Sequence, residues 1–157
     1  ILIALSSLAA CGCSSNFDRQ WEAAGNPPAG GIEGRWQGHW KSEQDGHTGA
    51  LRCLVRKLGP ETYEASFDAT YASVFTFAYD AKLEGRRAGD QIYLLGDQDL
   101  GWPVYTYHYA GMASPAQLYC TYHARDDRGF FALVRPGGTP PKAPLQPPAT
   151  PLPTTTP

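Results

Sequence analysis

Neither sign of charge dominates this chain. Its 157 residues hold 15 acidic and 13 basic side chains, a formal net charge of −2. So balanced a composition gives no basic face for nucleic acid or for an anionic surface. Catalytic signatures are missing as well. There is no Gly-x-Ser-x-Gly elbow, so Ser42 and Ser73 have no evident base. There is no glycine-rich phosphate loop. The opening apolar run falls short of the roughly 20 residues that a membrane-spanning helix needs. No segment repeats its apolar residues with a convincing helical period.

The opening run does have a recognisable layout. Ile1-Leu2-Ile3-Ala4-Leu5-Ser6-Ser7-Leu8-Ala9-Ala10-Cys11 is an apolar stretch followed by small residues, the pattern of a signal peptide at its cleavage point. It lacks Met and a basic start, so residues 1–10 read as a truncated signal peptide. Leu8-Ala9-Ala10-Cys11 resembles the lipobox of bacterial lipoproteins. That resemblance implies loss of residues 1–10, a lipid anchor on the Cys11 sulfur and acylation (palmitate or a similar chain) of the new amino terminus. It places the mature protein on the extracytoplasmic side of a membrane in the bacterial cell envelope. Gly12, where an Asp would signal retention, points to the outer membrane or its periplasmic face. Each buried CH₂ contributes about 0.8 kcal/mol, so two or more chains anchor firmly.

Three further regions follow. Residues 11–31 are rich in Ser, Asn, Gly, Ala and Pro and read as a lipidated terminus with a flexible linker. Phe17 and Trp21 interrupt it, to touch either the membrane interface or the domain. Residues 32–136 suffice for one domain with a modest core. Residues 137–157 form a Pro- and Thr-rich tail that cannot bury enough apolar surface to fold and favours extended backbone.

Within the domain the apolar residues alternate. Leu51, Cys53 and Val55 oppose Arg52 and Arg56; Tyr63, Ala65, Phe67 and Ala69 oppose Glu64, Ser66 and Asp68. Phe75, Phe77, Tyr79, Ala81 and Leu83 oppose Thr76, Asp80, Lys82 and Glu84. Such alternation predicts half-buried strands, here about eight, separated by turn signals such as Asp45-Gly46 and Gly59-Pro60. The expected fold is all-β: an up-and-down antiparallel barrel, whose closure removes exposed edges.

Gly34-Arg35-Trp36 opens the first strand and Arg135 closes the last. The pairing resembles the lipocalin and wider calycin barrels, which implies that Arg135 packs against Trp36 to close one barrel end. The stretches Gly34-Arg35-Trp36-Gln37-Gly38-His39-Trp40, Gly46-His47-Thr48-Gly49-Ala50-Leu51-Arg52-Cys53, Asp99-Leu100-Gly101-Trp102 and Gly129-Phe130-Phe131 also resemble a group of uncharacterised small bacterial proteins and lipoproteins. That likeness spans nearly all of 32–136 and implies a fold without an activity. The chain is shorter than classical lipocalins and lacks their C-terminal helix.

The four histidines give no metal site by spacing. His39 and His108 fall on polar strand faces, His47 in a turn, and Cys120 and His123 point to opposite faces of one strand. No cofactor is expected. Asp97, Asp99, Asp126 and Asp127 sit at strand ends and turns, where carboxylates bond local backbone. Cys53 and Cys120 lie on apolar faces, as inert buried thiols or as halves of a disulfide that the extracytoplasmic compartment would permit. Cys13 stays free or pairs with another molecule.

Aromatic residues are the strongest binding signal. Trp40, Phe67, Phe75, Phe77, Tyr79, Trp102, Tyr105, Tyr107 and Tyr122, with His47, are the candidate ligand-binding residues. A barrel of about eight strands is just wide enough to be filled by side chains or to hold one small ligand. Three functions are weighed. The first is a non-catalytic, membrane-anchored barrel binding a small apolar or amphipathic ligand. The second is a solid envelope barrel that meets a protein or glycan. The third is a hydrolase or isomerase built near His47, Asp99 and Trp102.

Overall fold

Eight runs of alternating burial become eight strands: β1 (Gly34–Ser42), β2 (Thr48–Lys57), β3 (Thr62–Tyr71), β4 (Phe75–Ala88), β5 (Gln91–Asp99), β6 (Thr106–Ala113), β7 (Gln117–His123) and β8 (Arg128–Val134). A computed structural model describes residues 10–25, 30–72, 75–101 and 105–139. Each strand pairs antiparallel with its sequence neighbours, and β8 returns to β1 to close the barrel. The closing register sets Gln37 opposite Val134 and Ser42 opposite Gly129. The fold is therefore the all-β, up-and-down barrel that the alternation predicts.

The interior is stacked in layers. Trp36, Cys53, Val55, Ala65, Ala81, Leu94, Ala113, Leu118 and Leu133 fill the base and middle. At the base, the Arg135 guanidinium carbon sits 3.7 Å from the Trp36 ring centroid. Its nitrogens donate to the backbone carbonyls of Gly31, Glu33 and Pro115 at 3.0, 2.8 and 2.9 Å. The Trp36 indole donates to Ile32 O at 2.8 Å. A planar cation over an aromatic face, with its N–H groups bound to carbonyls, closes this end.

One element departs from the sequence reading. Residues 11–31, expected as a flexible linker, hold a helix, α1 (Ala10–Ala23). Phe17 and Trp21, one helical turn apart, are buried against Leu54, which faces outward on β2. The Arg52 guanidinium lies 5.0 Å from the Phe17 ring and 5.5 Å from the Trp21 ring. It also pairs with Asp18 at 2.7 Å and donates through Nε to Asp68 at 3.0 Å. An outward apolar residue on a barrel wall needs a cover, and two aromatic residues at i, i+4 supply it. The helix descends the wall. Asn16 and Phe17 lie by Ala78, Tyr79 and Asp80, whereas Ala23 and Gly25 lie by Gly34, Val55 and Lys57 near the base.

The Cys53–Cys120 bridge weighed above is not formed; both residues are free, buried thiols. They stand on β2 and β7, three steps apart around the barrel through β1 and β8. Adjacent strands are about 4.8 Å apart, so the two are not neighbours along the wall.

Candidate functional site

The end opposite Trp36 and Arg135 is less completely filled among the described residues. A cavity of about 520 Å³ enters the barrel there, lined chiefly by Trp40, Tyr71, Phe77, Tyr79, Tyr107, Tyr109, Tyr122 and Phe131. That volume lies within the range of small-ligand sites. Several strands deliver these rings because inward positions recur every second residue. Trp40 stacks on Tyr71, Phe67 on Tyr79, and Tyr122 on Phe131. The Trp40 indole donates to Thr70 O at 3.0 Å, reaching over β2 at Gly49. Any Cβ at Gly49 would fall 1.7 Å from Thr70 O and 2.7 Å from the indole nitrogen, so only glycine leaves room.

Polar groups gather on one side of the mouth. Asp127 accepts from Ser42 Oγ at 2.8 Å and from the Tyr107 hydroxyl at 3.2 Å. The Tyr122 hydroxyl donates to Lys41 O at 3.4 Å. Burial, followed by the neighbouring Asp127 charge, pushes the Tyr107 phenol up to about 12 and raises that of Tyr122 as well. The Tyr109 side chain is buried, its phenol also raised chiefly by burial, and its hydroxyl lies beside that of Tyr79 without a well-formed hydrogen bond among the described residues.

At the rim, His47 contacts the Tyr71 hydroxyl at 3.2 Å and pairs with Asp45 at 2.7 Å. Side-chain and backbone hydrogen bonds from His47 lower the Asp45 carboxyl to about 2. Asp99 accepts from Gly101 N at 2.8 Å, a local turn bond. His47 and Asp99 share no hydrogen bond or ion pair among the described residues. Trp102 and the side chains of Cys11 and Cys13 lie outside the described residues, as do Ser73 and the tail beyond 139.

Of the other candidates from sequence, Trp40, Phe77, Tyr79, Tyr107 and Tyr122 line the cavity. Phe67 is buried among Tyr79, Tyr109 and Phe131 and does not reach the lining. Phe75 and Phe77, expected inside, are 68% and 51% exposed, because the start of β4 stands at the mouth rather than within the filled layers. Tyr105 precedes β6 in a left-handed conformation, φ 66°, and packs instead against Arg125 at 5.0 Å. Sequence reasoning missed Ser42, Tyr71 and Asp127. Asp127 was read as turn chemistry, and its alternative partners come from residues 85 and 20 positions away.

A second depression, about 890 Å³, lies partly on the outer wall, near Lys82, Leu95, Asp97, His108 and His123. It is larger but lacks an apolar enclosure. His108 bonds Asp97 at 2.5 Å and stacks on His123 at 5.3 Å. No group of three metal-ligating side chains occurs among the described residues. No protein-family model, curated protein or solved structure matches the chain.

Proposed function

We propose that the protein is a non-catalytic, lipid-anchored barrel of the bacterial cell envelope that binds a small apolar or amphipathic ligand. The observation that carries the ligand reading is the aromatic cavity of about 520 Å³. A filled barrel acting through its outer face has no need of such a space. Both free thiols are buried and raised by that burial, and among the described residues no histidine bonds the Ser42–Asp127 pair, which supports the non-catalytic reading. Anchoring rests on Leu8-Ala9-Ala10-Cys11.

Titration with the neutral fluorophore N-phenyl-1-naphthylamine tests the cavity. Saturable binding is expected, weakened by Tyr79→Trp or Ala69→Phe, which fill the space. Absence of saturable binding would overturn the ligand reading. Mass spectrometry of the protein from its membrane fraction tests the anchor. An acylated Cys11 peptide is expected, with release to the soluble fraction in Cys11→Ala.

A further inference from the structure

We propose that the cavity selects an organic cation with an apolar body, such as an alkylamine or an alkyl quaternary ammonium. The inference rests on the ligand-binding reading and adds the charge of the ligand. Its first support is the sign of the lining. Among the described residues the lining holds Asp45 and Asp127 and no Lys, Arg or His. Asp45 is partly compensated by His47 at 2.7 Å. Asp127 accepts from the neutral hydroxyls of Ser42 and Tyr107 and has no ion pair among the described residues. Asp127 thus lines both the cavity and an outer depression that it shares with Arg125 and Arg128, and neither arginine lines the cavity. A half-buried carboxylate held by neutral donors keeps most of its charge for a partner entering the mouth.

The rings are the second support. Trp40, Tyr71, Tyr79, Tyr107 and Tyr122 surround the space, and the face of each carries the negative lobe of its quadrupole. Aromatic walls beside one carboxylate are the arrangement that holds alkylated ammonium groups. The Tyr109 ring adds a further aromatic face to the same wall, with its hydroxyl buried beside Tyr79. Burial keeps the phenols of Tyr107, Tyr109 and Tyr122 neutral, so they accept and donate without adding charge. A carboxylate ligand would face Asp127 and the ring lobes with the wrong sign.

The test uses the full chain with bound N-phenyl-1-naphthylamine and three displacers of equal chain length, each below its micelle concentration: decyltrimethylammonium, decanol and decanoate. The cation is expected to displace the dye about tenfold better than the alcohol, and decanoate worst. In Asp127→Asn that preference should shrink to about twofold or less. Equal displacement by all three, or a lead for decanoate, overturns the cation proposal while dye binding leaves the cavity reading standing. Failure of the dye and all three displacers to bind overturns both. The ranking on the unmodified protein decides the matter even if Asp127→Asn does not fold.

Discussion

Arg135 lies flat over Trp36, its guanidinium carbon 3.7 Å from the ring centroid, and the same group donates to backbone carbonyls on both sides of the base. Lysine would keep the charge and lose the planar fork. Arg135→Lys should lower the unfolding free energy by about 2 kcal/mol in urea titration. Dye affinity at the opposite end should stay within about twofold, since no base residue lines the cavity.

Arg52 and Asp68 make a second prediction. Asp68 is only 5% exposed, and one of its carboxylate oxygens already lacks a partner. Arg52→Ala leaves that buried carboxylate uncompensated and should cost about 3 kcal/mol. Removing the acid too, in the Arg52→Ala, Asp68→Ala double variant, should recover at least about 1 kcal/mol. A denaturation cycle measures this, and a double variant no better than the single one would show that Asp68 is solvated. Limited proteolysis should find α1 released in Arg52→Ala, because Phe17 and Trp21 lose the cation above them.

Alkaline pH should destabilise the barrel. Burial raises the thiols of Cys53 and Cys120 and the phenols of Tyr107, Tyr109 and Tyr122. Folded protein therefore holds these protons while the unfolded chain releases them, thiols near 9.0 and phenols near 10.0. Below those values both states are protonated and stability is level. Above about pH 9 it falls, by up to about 1.4 kcal/mol per pH unit for each fully retained proton, until the folded group titrates as well. Cys120 reaches that point at about 12. Urea midpoints at pH 8, 9.5 and 11 should decrease in order. A midpoint constant to pH 11 would mean that water reaches these groups.

Gly49 should tolerate no side chain. Gly49→Ala places a methyl against Thr70 O and the Trp40 indole, and should cost about 2–3 kcal/mol with a red shift in tryptophan emission. Gly46→Ala is the control. Gly46 has a φ of +80° but open space around it, so only backbone strain of about 1 kcal/mol is expected there.

The strands were legible because inward residues recur with period two over long runs, as in Tyr63, Ala65, Phe67 and Ala69. The helix was not, since residues 12–16 are small and polar and only Phe17 and Trp21 carry its apolar stripe. Leu54 held the missing signal: it breaks the alternation of Leu51-Arg52-Cys53 by placing an apolar side chain outside. The aromatic half of the cavity was readable from composition and strand parity. Its polar half was not, because Asp127 has the local sequence of a turn and acquires its role from Ser42 and Tyr107 across the closed sheet. Phe75 and Phe77 have the right parity and the wrong height, and parity says nothing of how far up the wall a residue stands.

Helix α1 runs from mouth to base, so its first turn, where Cys11 sits, stands on the mouth side. About 9 Å of helix separates Cys11 from Phe17. An acyl chain at Cys11, as proposed, would hold the protein like a cup inverted on a table. The exposed rings of Phe75 and Phe77 would meet the lipid headgroups at its lip. An amphiphile could then pass between bilayer and barrel without crossing bulk water.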